Sequence, residues 1–230
     1  MDRSARSARP RCWPLLAIVG HAWPALAHDT SIGMRVDAGR LATYFAEPFP
    51  PVIFAPDRVF PGDLFLAPAG IVGDEPGYLT DDPSPLIGQS LGFNIRRAAR
   101  GWNGSDFNSL SPFTITLSTP GQTPVTTPMA DPLTPLLGLS FIVQPSGIEF
   151  RFDSELNGTT PGLYLLELEA WTDTTGVVNS LPYWAVLNYD MSEPELERGI
   201  EWVRENLAPS PSTLVALALL PLVSRRRRRR

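Results

Sequence analysis

Glu167 and Glu169 stand two residues apart in the segment Pro-Gly-Leu-Tyr-Leu-Leu-Glu-Leu-Glu-Ala-Trp at 161–171, and residues two apart lie on the same face of a β-strand. Two carboxylates on one face are the groups with which a glycosidase works, one as proton donor and the other as nucleophile or base. Trp171 continues the same face, and its indole offers a flat apolar platform of the kind a sugar ring stacks on, as do Trp184 and Trp102. The plainer reading makes the glutamates the solvated face of a half-buried strand and the tryptophans part of the core. Exposure and coplanarity of Trp171, Trp184 or Trp102 separate the two.

Other chemistries are constrained by what survives processing. Residues 1–27 have the three parts of a secretory signal in order: an Arg-rich start, the apolar run Trp13 to Val19, and Ala25-Leu26-Ala27 as a small-residue cleavage site. The mature chain then begins at His28. Cys12 is the only cysteine and precedes the apolar run, so the mature protein is expected to hold no disulfide and no thiolate metal site. His28 becomes the one remaining imidazole, at the N-terminus, which leaves a Ser-His-Asp triad without a placed base. A new N-terminal histidine can chelate copper through its α-amine and ring, but with no second histidine the ion needs Asp29 or another carboxylate; a cleavage that happens to leave histidine is the simpler account. Asp74, Glu75, Asp81 and Asp82 crowd a Gly- and Pro-rich loop with oxygen ligands suited to calcium, yet without the order of a calcium-binding hand, and solvated turn acids are the default. No phosphate-cradling glycine motif and no His-Glu-x-x-His occur. No cofactor is expected, and the domain reads as no enzyme.

All 19 basic residues are Arg. Four precede the first apolar run and six, Arg225 to Arg230, end the sequence, leaving 9 Arg against 23 acidic residues in 28–208, a net charge of −14. A surface so negative repels phosphate backbones, which counts against nucleic acid, and no nucleic acid is expected as a partner.

The end of the chain reads Pro209-Ser210-Pro211-Ser212-Thr213, ten apolar residues from Leu214 to Val223, then Ser224 and the Arg block that opens with Arg225 and Arg226. This order resembles the PEP-CTERM sorting tail, with Ser210 where that family usually has Glu. The resemblance covers about the last 22 residues. It implies an exosortase-type processing enzyme as partner, a transient hold in the inner membrane of a Gram-negative bacterium, and exopolysaccharide as a further partner. Ten apolar residues are short of the ~20 a helix needs to span a bilayer, which suits a temporary anchor whose Arg end stays in the cytoplasm.

Between the signals, short runs rich in Phe, Ile, Thr, Val, Leu and Tyr alternate with Gly, Pro, Asn and Asp clusters. Strands are expected at 31–36 and 40–45, a hairpin about Asp37-Ala38-Gly39, and at 63–67, 91–95, 113–118, 139–144, 148–153, 163–171 and 182–188, the last two pairing antiparallel. The Pro-Gly turn before Tyr164 and its alternating Leu resembles a late strand of immunoglobulin-like sandwiches, where such a Tyr braces a corner. Ser192 with Glu195 spells a capping box, and Leu196, Ile200, Val203 and Leu207 follow at helical spacing with Glu197, Glu201 and Glu205 opposite. Gly92-Phe93-Asn94, Trp102-Asn103-Gly104 and Glu201-Trp202-Val203 resemble exported ectodomains that carry such tails, and that resemblance implies no activity.

The expected organisation is a signal peptide at 1–27, an all-β antiparallel sandwich, immunoglobulin-like or related, at 28–191, an amphipathic helix at 192–208 and a sorting tail at 209–230. The expected role is that of an exported cell-surface or extracellular-matrix protein, structural or binding. The alternative is a carbohydrate-binding or carbohydrate-active sandwich.

Overall fold

A computed structural model describes residues 31–48, 51–74, 76–80, 84–144 and 150–208. The signal segment, His28, Asp29 and the tail with Pro209 to Thr213, Arg225 and Arg226 lie outside them. The described residues are all-β with one helix. The strands are β1 (Ser31–Asp37), β2 (Arg40–Pro48), β3 (Pro51–Pro56), β4 (Val59–Ala67), β5 (Gly70–Gly73), β6 (Gly77–Thr80), β7 (Ser90–Ile95), β8 (Arg100–Gly101), β9 (Ser109–Leu110), β10 (Ile115–Ser118), β11 (Val125–Thr126), β12 (Leu136–Ile142), β13 (Asp153–Leu156), β14 (Gly162–Thr172) and β15 (Tyr183–Tyr189), followed by α1 (Glu193–Asn206). A four-stranded sheet has the order β3-β2-β1-β6; an eleven-stranded sheet runs β11-β10-β13-β5-β4-β15-β14-β7-β12, with β8 beside β14 and β9 beside β8.

The expected hairpin is β1–β2, turning through Ala38 (φ 48°) and Gly39 (φ 79°), two successive left-handed residues as a two-residue hairpin turn requires. β14 and β15 pair antiparallel from Gly162↔Tyr189 to Leu168↔Tyr183, also as expected. The expectation of purely antiparallel sheets is corrected: β6 lies parallel to β1 and β4 parallel to β15, so both sheets are mixed. The reason is visible in β15, whose first five residues are all buried. A strand covered on both faces, flanked by β14 and β4, has the continuous apolar run typical of parallel neighbours. The strand expected at 148–153 is also shifted. Phe150 makes only a bridge to Tyr78, with N···O of 2.6 and 2.8 Å, and the strand proper, β13, is Asp-Ser-Glu-Leu, whose polar residues read as loop while Ser154 and Leu156 turn inward. β12 begins earlier than expected, and its pairing with β7 shifts between Leu137 and Ser140.

The main core draws on both sheets, Ile32, Met34, Leu41 and Tyr78 from the smaller and Phe60, Phe93, Leu139, Leu166 and Tyr183 from the larger. At its centre the hydroxyls of Tyr78 and Tyr183 meet at 2.7 Å, and burial pushes the pKa of both phenols above the ordinary value. β14 keeps the alternation of its sequence. Tyr164, Leu166, Leu168 and Ala170 enter this core, and Leu163 and Leu165 enter a second cluster on the other face with Val59, Phe107, Trp184 and Val186.

Helix α1 covers that second cluster with Leu196 and Val203, and Ile200 and Leu207 pack at its edge, while Glu197, Glu201 and Glu205 are exposed. It lies so close to β14 that a Cβ on Gly199 would come within 2.7 Å of Leu163 Cδ1. Ser192 occupies the N-cap, but its side chain makes no capping hydrogen bond, and Pro194 stands in the first turn. The capping box is therefore corrected. The Glu195 carboxylate is taken instead by the Trp102 indole N–H and by Arg198. At its far end the helix is tied down by Arg204, which donates to Asp57 Oδ2 at 2.8 Å, and by Arg58, which donates to the Leu207 carbonyl at 3.4 Å.

Candidate functional site

The carboxylates singled out by spacing do share a face. They are not solvated: Glu167 and Glu169 are 13% and 15% exposed, roofed by two arginines from the segment after β7. Arg96 reaches both, through Nε to Glu167 Oε1 at 3.3 Å and through a terminal nitrogen to Glu169, and Arg97 Nε lies 3.1 Å from Glu167 Oε2. Asn179 donates to Glu169 Oε1 at 2.7 Å. The antiparallel register that sets Glu169 opposite Asn94 and Leu168 opposite Ile95 brings Arg96 and Arg97 over the pair. Carboxylate oxygens engaged in this way are taken up by arginine and amide partners and are poorly placed to meet a substrate.

The three tryptophans go to different surroundings. Trp171 is half-buried against Gly92, where an added Cβ would meet the indole at 2.7 Å. Trp184 is 4% exposed, with the Arg58 guanidinium 5.1 Å above its ring. Burial lowers the Arg58 pKa, and Asp57 opposes that shift. Trp102 packs on Phe107 with centroids 4.9 Å apart, and Phe107 on Trp202 at 5.9 Å. The indole nitrogens of Trp171 and Trp184 are buried without an acceptor among the described residues.

Beside Glu167, where α1 crosses the sheet, the side chains leave a crevice of about 110 Å³ lined by Arg97, Arg100, Phe107, Asn108, Trp184 and Trp202. Arg100 is 18% exposed and fixed by Asp131 at 2.5 Å and by the Asn108 carbonyl at 3.4 Å. Arg97 is 55% exposed, and only its Nε is engaged, so its terminal amino groups make no hydrogen bond among the described residues. The crevice thus joins a restrained cation, an aromatic wall and an amide. Sequence reasoning named Trp184 among these and passed over the arginines, Phe107 and Asn108. Their signal was Arg96-Arg97 and Arg100 closely spaced after a strand in an otherwise acidic domain.

Of the acidic loop, Asp74 pairs with Arg151 at 3.1 Å, and Glu75, Asp81 and Asp82 lie outside the described residues. Among the described residues, no three His, Cys, Asp or Glu gather as metal ligands do, and no helix is long and apolar enough to cross a membrane. Tyr164 donates to the Thr160 carbonyl at 2.6 Å, spanning the corner that leads into β14, and burial raises its pKa, with Tyr189 adding to the shift. In comparison with known proteins, no family model, no curated protein and no solved structure matches the chain.

Proposed function

We propose that the chain is an exported, non-enzymatic protein of the cell surface or extracellular matrix, presented outside the inner membrane by its β domain and sorted by its PEP-CTERM-like tail through an exosortase-type enzyme. The observation that carries this reading is that the domain is packed up to the residue before the tail motif. Leu207 and Ala208 still pack on the second cluster, and the Pro-Ser-Pro-Ser-Thr segment begins at the next residue. A domain whose packing extends to that boundary suits a tail that is held, cut and discarded. The occupied state of Glu167 and Glu169 supports a role without catalysis. The two sheets sharing one core, together with the Tyr164–Thr160 corner, support an immunoglobulin-related sandwich modified by its two parallel strand pairs.

The test is fractionation of cells making the full chain or one ending at Ala208. The full chain is expected to pass transiently through the inner membrane and finish outside it. The shortened chain is expected to fold equally well and to lose that retention and processing. Equal retention and processing of both forms overturns the sorting role. A second reading, carbohydrate binding, is favoured by the crevice under α1, where Trp202 and Phe107 stand beside Arg97, Arg100 and Asn108.

A further inference from the structure

We infer that the crevice between α1 and the sheet binds a carboxylate-bearing pyranose, a hexuronate unit of an acidic saccharide, with Arg97 as the group that takes the carboxylate. The inference deepens the carbohydrate-binding reading and rests on it. Arg97 is kept beside the crevice by an ion pair: its Nε lies 3.1 Å from Glu167 Oε2, and Glu167 in turn accepts from Arg96 Nε at 3.3 Å. That charge contact uses Nε and leaves the end-on pair of amino groups for a second acceptor, the pair that takes a carboxylate through two parallel hydrogen bonds. Arg100 adds a second positive charge, anchored by Asp131 and by the Asn108 carbonyl. Phe107 is buried and backs Trp202 at 5.9 Å, so the indole has a rigid support on which the apolar face of a sugar ring can lie. Asn108 supplies an amide for hydroxyl groups. The crevice of about 110 Å³ takes the carboxylate edge of one sugar ring, with the rest of that ring and of a chain outside.

The chemistry also discriminates. A neutral pyranose could stack but would leave the end-on guanidinium face without its anion, whereas an inorganic anion would gain the charge and lose the stacking. Polar complementarity of this kind separates ligands more strongly than apolar fit does.

The experiment is isothermal titration of the purified full chain with trigalacturonate and with neutral trigalactose, repeated for Arg97→Gln, Arg97→Lys and Trp202→Leu, with thermal melts as a control on folding. Trigalacturonate is expected to bind at least tenfold more tightly than trigalactose. Arg97→Gln is expected to weaken it about tenfold without moving Tm, Arg97→Lys to recover only part of that, and Trp202→Leu to weaken both sugars. The six terminal Arg are a second place for an anion, so the difference made at residue 97 decides the matter. Trigalacturonate binding unchanged by Arg97→Gln, as an Arg tail alone would give, overturns the inference. Tighter binding of trigalactose overturns it too while leaving carbohydrate binding intact, and saturable binding of neither sugar overturns both.

Discussion

Asp57 lies where the two sheets and the helix meet, and replacing it tests how the domain is held together. One carboxylate oxygen accepts the backbone N–H groups of Arg58 at 2.6 Å and Val59 at 3.0 Å, fixing the first residues of β4, and the other accepts from Arg204 on α1 at 2.8 Å. The main chain of Asp57 binds the smaller sheet, donating to the Thr43 carbonyl at 3.2 Å and accepting from the Thr43 hydroxyl at 2.6 Å. In Asp57→Ala two N–H groups at a 14% exposed site lose their acceptor, worth about 1 kcal/mol each. The link to Arg204, itself 38% exposed, contributes roughly 0.5–1 kcal/mol after solvent screening. The sum is about 3 kcal/mol, or roughly 6–12 °C in Tm for a domain of this size. Asp57→Asn keeps one oxygen for the N–H groups and should lose only about 1 kcal/mol, as should Arg204→Ala. Urea unfolding of these variants, with the double mutant closing a cycle, gives the partition. Equal losses in Asp57→Ala and Asp57→Asn, or a loss below about 1 kcal/mol in the former, would refute the assignment of most of the effect to the β4 N–H groups.

Three further outcomes follow from the same structure. Gly92→Ala places a Cβ 2.7 Å from the Trp171 ring and 2.8 Å from the Leu139 carbonyl oxygen, and overpacking of this kind should lower stability by about 1–3 kcal/mol in chemical denaturation; an unchanged midpoint contradicts the close contact. Because burial raises the folded-state pKa of Tyr78 and Tyr183, the unfolded chain loses these protons first, so stability should be full below about pH 10 and fall as pH rises above it. Tyr78→Phe should shrink that alkaline loss while costing about 1–2 kcal/mol at neutral pH for the unpaired Tyr183 hydroxyl, and pH-dependent melts with an undiminished alkaline slope would contradict it. Arg96→Ala leaves Glu169 with only amide partners at 15% exposure and should destabilise the fold by about 1–3 kcal/mol, read from its melt; no change would show that the carboxylates are solvated after all.

How far the sequence could be read depended on whether a feature is local. β14 is written in alternation, the stripe of α1 in helical spacing, and the β1–β2 hairpin and β15 in short apolar runs beside turn residues, and each formed where expected. β3 was hidden by the prolines that bound it, and β8, β9 and β11 are two-residue pairings whose register is imposed by neighbours distant in sequence. Strand direction was illegible for the same reason, since alternation is identical in parallel and antiparallel pairs. Spacing put Glu167 and Glu169 on one face correctly, but their partners Arg96 and Arg97 lie some 70 residues earlier and arrive only through the β7–β14 register. The crevice as a whole was likewise invisible, because Trp202 comes from α1, Arg100 from β8 and Arg97 and Phe107 from the segments on either side of it.

The account's central claim is that the acidic domain is exported and parted from its tail, and intact mass analysis of the protein recovered outside the inner membrane tests it most directly. The predicted species starts at His28 and ends between Pro209 and Thr213, without the apolar run or the Arg block. A protein recovered there with Arg225 to Arg230 still attached contradicts the claim.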